Sequence, residues 1–474
     1  MLTDFLTPRL ARFFTELSAI PRGSGNEAGV ADYLVLFAEN RGLEVYRDRL
    51  HNVLIKKAGS KGREQEAALL LQAHTDMVTE ARLLSQHDFL KDGITLLQKG
   101  NLLFADGTTL GADDGFGVAL MLAVLDGAES HPPLECLFTT CEETGMDGAA
   151  GFDYQRISAR RLVNLDTNTE SDIVIGCCGG LYSTLALDME FSLVEGQAFR
   201  LSLQGLRGGH SGEDIHRNRG NAHTVMGRLL SCLYEQTKFR VASISGGNKD
   251  NAIPRECEAV ILPDDPARFC EVAKGLTPFL NRLLDRAEDP DAKLVLKEAE
   301  AERAFSHADT ERLLAALGVE NGVLAWRKGG EGAPDISRNL AKISTGGQGI
   351  LLRFFARASR EDALDWLERD IERFALTLGG SVCHSSRHVG WESAGEGQLC
   401  LQWKKALGEV TGIKPTVSVI HAGLECGMIT AALPGTEAIS VGCNIHDLHT
   451  PAETMELDSF ERIYKTLLRF LEGC

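Results

Sequence analysis

Five short segments of this chain place an imidazole or a carboxylate at the end of an expected strand or in the loop beyond it. They are His74-Thr75-Asp76, Gly111-Ala112-Asp113-Asp114-Gly115, Glu142-Glu143-Thr144-Gly145, Asn164-Leu165-Asp166 and His446 to Pro451. Four of them precede residue 170 and the fifth lies close to residue 450, so a fold that gathers them must bring the last part of the chain back to the first. What lies between then reads as an insertion.

Hydrophobic patterning agrees with that division. In the first third, Phe5 to Ile20 and Glu27 to Asn40 read as amphipathic helices, Ala67 to Ala73 as an apolar strand, Gly115 to Leu125 as a helix, and Leu134 to Thr139 and Arg161 to Leu165 as strands. Strand, helix and strand in succession imply a mostly parallel sheet covered on both faces, with ligands at the carboxyl ends of its strands. From about Gly180 the texture becomes strand-like alternation, as in Ala198 to Leu203 and Ile350 to Phe355, with helices such as Asn221 to Tyr234 and Ala267 to Arg286. Gly397 to Gly408, Ile439 to Val441 and Met455 to Glu472 restore the first pattern. The expected fold class is α/β, a mostly parallel sheet flanked by helices over 1–180 and 391–474, with an inserted α+β domain at 181–390. Ala287 to Ala304, rich in Glu, Asp, Lys and Ala, reads as a solvated surface stretch, and Arg327 to Asp335, with three glycines and a proline, as a loop.

At 474 residues the chain exceeds one core, and 43% hydrophobic with 24% charged residues mark an ordinary globular protein. Its 49 basic against 67 acidic residues give a formal charge of −18, which disfavours nucleic acid and anionic lipid as partners. Met1 to Ala19 intersperses Asp4, Arg9, Arg12 and Glu16 with apolar residues, unlike a signal peptide, and no run of about 18 apolar residues offers a membrane span. Twelve cysteines without paired CxxC spacing read as reduced thiols of a cytoplasmic protein.

The residue types in the five segments suit a pair of divalent metals. Two such ions about 3.5–4 Å apart share one water, acidify it and polarise the carbonyl it attacks. The pair needs a bridging carboxylate against mutual repulsion, a few further imidazole or carboxylate ligands, and a separate carboxylate free to act as base. Adjacent acids are usually a solvated pair, but Glu142-Glu143 follows an apolar run and offers one ligand and one base. Gly111 to Gly115 alone would pass for a turn; it lacks the alternating acids and terminal Glu of a calcium loop. Either His446 or His449 is placed to be the last ligand.

These segments resemble the co-catalytic zinc peptidase family that includes carboxypeptidase G, and most closely its aminoacyl-histidine (Xaa-His, carnosine-type) dipeptidase branch. Ala19 to Glu27, Gly208-Gly209-His210-Ser211-Gly212, Asn251 to Glu256 and His421 to Gly427 carry the likeness further, as does His449-Thr450-Pro451-Ala452-Glu453, with Thr where the branch has Ser. The resemblance implies that Asp113 bridges two metals, that His74 and Asp166 complete one site and Glu143 and His449 the other, and that Glu142 is the general base. It implies that Asp76 orients the His74 imidazole and that the Asp113-Asp114 peptide bond is cis. From the inserted domain, a lid that mediates dimerisation in the family, it implies that His210 stabilises the oxyanion and that Asn251 binds substrate backbone. Arg357, with Arg353 and Arg360 as competitors, is a candidate to grip a substrate carboxylate, and His421 and Glu425 to line the pocket.

The expected function is therefore hydrolysis of unblocked dipeptides, Xaa-His foremost, by a homodimer with two divalent ions, zinc by default and manganese or cobalt as alternatives. The competing readings are an amidohydrolase or aminopeptidase acting on N-acyl amino acids or tripeptides, and a noncatalytic peptide-binding protein. Arg387-His388-Val389-Gly390-Trp391 stands where the branch has a proline-rich run, a departure that touches specificity rather than catalysis.

Overall fold

The computed structural model describes residues 2–285, 287–328 and 333–473. The chain divides into two compact units, one of Met1–Cys177, Trp391–Ile420 and Leu424–Cys474, the other of Cys178–Gly390 and His421–Gly423.

The first unit is built on an eight-stranded sheet in the order Glu44–Arg47, Val53–Lys57, Leu134–Thr139, Leu69–His74, Arg161–Thr167, Glu437–Gly442, Asp172–Cys177, Thr416–Ile420. The third to sixth of these strands run parallel, and their registers, His74 opposite Thr139 and Gly442 opposite Thr167, bring their carboxyl ends to one edge. Leu69–His74 and Leu134–Thr139 are buried at every position, which is why each reads as a largely apolar run despite Gln72 and Glu135. Leu69, Leu71 and Ala73 pack into one apolar cluster and Leu70 into another, so both faces are covered. The larger cluster takes in helix Ala112–Gly127, apolar nearly all round, with Pro8–Ser18, Gln398–Thr411 and Leu457–Gly473. The smaller takes in Cys426–Ala432.

The second unit is a nine-stranded antiparallel sheet whose main path runs Lys293–Ala299, Ala198–Gln204, Cys257–Pro263, Phe239–Gly246, Pro334–Gly346, Gly349–Ala358, Gly179–Asp188, Ser381–His388. Its helices include Ala222–Gln236 and Glu361–Thr377. Asn221 caps the first of these by accepting from His223 N and Thr224 N. His421–Gly423 belongs here: Ala422 O accepts from Cys178 N at 3.1 Å, and His421 Nε2 lies 2.7 Å from Ser337 Oγ.

Three local expectations change. The helix expected over Ala267 to Arg286 breaks at Gly275 into Pro266–Lys274 and Leu276–Leu283, and Arg286 lies outside the described residues. The stretch expected to be solvated holds the edge strand Lys293–Ala299, paired with Ala198–Gln204. An edge strand is only half covered and tolerates Lys and Glu, so its composition mimics a surface loop. Of the expected loop Arg327 to Asp335, residues 329–332 lie outside the described residues, and Pro334 and Asp335 already begin a strand. Every described cysteine is a free thiol, and no described helix is long and apolar enough to cross a membrane.

One buried group makes stability depend on pH. His223 is fully buried, donates from Nδ1 to Leu340 O at 3.1 Å, and is lowered by burial from 6.5 to about 4. Above pH 6.5 the ring is neutral in both folded and unfolded chains; below it the unfolded chain binds a proton that the folded one refuses until about pH 4. Stability from this residue therefore falls as pH falls. Between pH 7 and 5, urea denaturation should show wild type losing roughly 2 kcal/mol relative to His223→Gln. A pH-independent difference between the two would contradict this account.

Candidate active site

The parallel strands deliver the donors to one edge. His74 ends its strand, with Nε2 3.1 Å from Asp113 Oδ1 and 3.8 Å from Asp166 Oδ1, and Nδ1 3.4 Å from Asp76 Oδ1. His449 Nε2 lies 3.2 Å from the other oxygen of Asp113 and 3.1 Å from Glu143 Oε1. Each oxygen of Asp113 thus faces a different imidazole. The donors fall into two overlapping groups, His74 with Asp113 and Asp166, and Asp113 with Glu143 and His449, and within each group the donor atoms lie within 4.8 Å of one another. Glu142 has the same proximity to His74 and Glu143. His446 points elsewhere and pairs with Glu456 at 2.9 Å, so His449 alone of the two reaches this cluster.

Local backbone explains how these side chains are aimed. Asp113 and Asp114 open helix Ala112–Gly127 with non-helical torsions, and the bond between them is cis. Cys141, just ahead of the Glu doublet, and His449 both sit in the left-handed region at φ 56° and 60°, sparsely populated for such residues and concentrated at functional sites.

The electrostatics are those of carboxylates short of positive charge. Burial pushes Glu142 and Asp166 well above the usual carboxylate range, and neighbouring acids add to it. Burial acts on Asp113 in the same direction but is outweighed by the two imidazoles, which hold it low. Burial opposes protonation of His449 too, yet Asp113 and Glu143 raise it to about 11. Each ion pair found for these acids is with an imidazole. A mixed carboxylate and imidazole set of this kind fits divalent cations such as zinc, manganese or cobalt, whose binding would displace those protons. A further trio, Glu368, Glu372 and His384, does not fit as well, because Arg387 already occupies Glu368.

Two residues to which sequence reasoning assigned no role hold the loops. Asp114 is fully buried and accepts from His74 N and Gly117 N, both at 3.1 Å. Glu453 accepts from four successive amides, Leu110 N (2.7 Å), Gly111 N (3.0 Å), Ala112 N (2.8 Å) and Asp113 N (3.4 Å). It ties the loop of His449 to that of Asp113. Asp76 does more than was expected of it, accepting from Glu142 N at 3.0 Å and Glu143 N at 3.3 Å as well as flanking His74.

The remaining expected residues separate. His210 and Asn251 sit close together in the second unit, where Gly209–His210 pairs with Ala252–Ile253 and Ser211 N donates to Asn251 O at 2.8 Å. Arg357 is buried with Nη2 3.3 Å from His210 Nε2, whereas Arg353 pairs with Asp250 and Arg360 with Asp362. His421 faces Ser337 in the same unit. Glu425 lies in the first unit, fully buried, with Oε2 accepting from Gln72 Nε2 at 2.5 Å and Thr139 Oγ1 at 2.7 Å, and so braces two strands. Burial raises it to about 7.

A mostly parallel α/β sheet whose strand ends carry two donor groups sharing one aspartate defines a candidate dinuclear metallohydrolase centre. Comparison with known proteins agrees. A peptidase dimerisation domain model matches residues 201–262, and a model of peptidase family M28 matches residues 52–181. The chain is 32% identical to the cytosol non-specific dipeptidase of Escherichia coli (strain K12), over 97% of its own length and 96% of that protein's. The crystal structure of aminoacylhistidine dipeptidase from Vibrio alginolyticus superposes with a TM-score of 0.86 at 32% identity, covering 100% of this chain and 98% of that one. An M20 family metallo-carboxypeptidase from Sulfolobus solfataricus shares the fold, with a TM-score of 0.56 at 14% identity over 98% and 99% of the two chains. The chain belongs to the M20 family of metallopeptidases, and is a hydrolase.

Proposed function

We propose that this protein is a cytoplasmic, homodimeric dipeptidase that hydrolyses unblocked dipeptides, Xaa-His among them, with two divalent ions, zinc by default. The observation that carries the reading is the shared aspartate: His74 and Asp166 on one side of Asp113, Glu143 and His449 on the other, with Glu142 beside them. Two ions held by these residues would supply Lewis acidity toward a scissile carbonyl and lower the pKa of a water. Glu142 accepts the proton of the attacking water and passes it to the leaving amine, a role suited to a carboxylate that stands beside His74 and Glu143. Asp76 fixes the direction of the Glu doublet through its two amides. In the second unit, His210 donates to the oxyanion, Arg357 grips the substrate carboxylate and Asn251 binds substrate backbone. The relatives' names support a dipeptide substrate, and the dimerisation-domain match supports the homodimer.

The test is chromatographic detection of products from Xaa-His dipeptides, other dipeptides, tripeptides and N-acyl amino acids, with metal-loaded and chelated protein in parallel. Chelator-sensitive cleavage confined to dipeptides is the expected result. Cleavage of acylated or longer substrates alone would replace the substrate class, and tight binding without any cleavage would favour a noncatalytic peptide-binding protein.

A further inference from the structure

The stretch Ala19 to Glu27 contains no expected ligand, yet its side chains reach three of the ligand-bearing loops. Arg22 is almost fully buried and donates from Nη1 to Thr75 O at 2.9 Å and Asp76 O at 3.1 Å, and from Nη2 to Gly111 O. Ser24 Oγ donates to Asp76 Oδ2 at 2.7 Å. Glu27, also buried, accepts at Oε1 from Cys141 N at 3.1 Å, immediately ahead of Glu142, and from Gly25 N at 3.0 Å. Gly23 and Met77 form a parallel bridge that pins the stretch alongside. The segment therefore spans 75–76, 111 and 141 at once.

The glycines of Gly111-Ala112-Asp113-Asp114-Gly115 are shaped around this arm. A Cβ at Gly111 or at Gly115 would come within 2.7 Å of Arg22 Nη2. The guanidinium meets three backbone carbonyls, leaves Nε buried without a partner, and forms no direct ion pair with a carboxylate among the described residues. A buried cation held by carbonyls in this way is a poor device for stability. It is a good device for fixing where two loops stand relative to each other.

We infer that Arg22, Ser24 and Glu27 form a positioning clamp that presets the loops of His74, Asp113 and Glu142-Glu143, so that metal affinity and turnover depend on a segment with no ligand of its own. This rests on the metal-ligand reading above. The experiment is calorimetric titration of dialysed, metal-free protein with Zn2+, alongside kcat and KM on a dipeptide and the melting temperature of the metal-free form. It is run for wild type, Ser24→Ala, Ser24→Thr, Glu27→Gln and Arg22→Lys. Ser24→Ala and Glu27→Gln should melt close to wild type, bind zinc about 10–100-fold more weakly and lose kcat more than KM, as for residues that orient ligands without being ligands. Ser24→Thr, which keeps the hydroxyl, should recover most of both. Wild-type zinc affinity and kcat in Ser24→Ala and Glu27→Gln overturn the clamp alone, even if Arg22→Lys fails to fold. Wild-type protein that takes up no zinc overturns the clamp together with the ligand assignment.

Discussion

Glu142→Gln is expected to keep its full metal content and lose turnover, while the neighbouring Glu143→Ala loses metal. The two carboxylates are adjacent in sequence but face different partners. Glu143 Oε1 stands 3.1 Å from His449 Nε2 and shares a donor group with Asp113. Glu142 neighbours His74 and Glu143, but among the described residues no ion pair with an imidazole engages it. A positioned general base contributes about 10²–10⁴ in rate, so kcat of Glu142→Gln should fall by that factor with zinc stoichiometry unchanged. Elemental analysis of dialysed protein and initial-rate kinetics together decide the matter. Unaltered turnover in Glu142→Gln would remove it from the base role, and full metal retention in Glu143→Ala would remove it from the ligand set.

The largest effect on stability is expected from Glu453→Ala. One carboxylate answers four consecutive backbone N–H groups, from Leu110 to Asp113, and the residue is buried. Alanine would leave those donors without their acceptor, and each buried unsatisfied donor costs about 1–3 kcal/mol before the loop relaxes. A loss of about 3–5 kcal/mol in urea denaturation is the expected outcome, at the upper end for point substitutions. Zinc uptake should weaken as well, because the same carboxylate joins the loop of His449 to that of Asp113. Glu453→Gln tests the charge separately: its amide nitrogen cannot accept from an N–H, so it should fall between alanine and wild type. A change within about 0.5 kcal/mol for Glu453→Ala, ordinary for an exposed surface position, would show that the four bonds do not matter.

The two expectations differ in how visible their residues were beforehand. The strands Leu69–His74 and Leu134–Thr139 were legible because burial on both faces leaves a largely apolar run, with Gln72 and Glu135 as exceptions inside, and His74 and Glu142-Glu143 stood out at or just beyond the strand ends. Spacing alone left His446 and His449 open and the motif around His449 favoured it; in the structure His449 lies beside Asp113 while His446 pairs with Glu456. Glu453, Asp114 and Arg22 lie in segments that carry the family likeness, but their roles were not readable, because their partners are backbone amides and carbonyls, which every residue carries. Glu425 was visible only as a pocket candidate by resemblance, and the contacts of its carboxylate with Gln72 and Thr139, far away in the chain, had no sequence signal. Edge strand Lys293–Ala299 was hidden by its charges.

The chain changes unit four times, between 177 and 178, 390 and 391, 420 and 421, and 423 and 424. Grafting residues 178–390 from one relative into another at the first two junctions would therefore transplant an incomplete module. The recipient's own residues 421–423 would have to satisfy the donor's Cys178 amide and Ser337 hydroxyl. A working hybrid must carry that tripeptide along, a requirement that makes recombination of whole domains an unreliable way to exchange specificity within such chains.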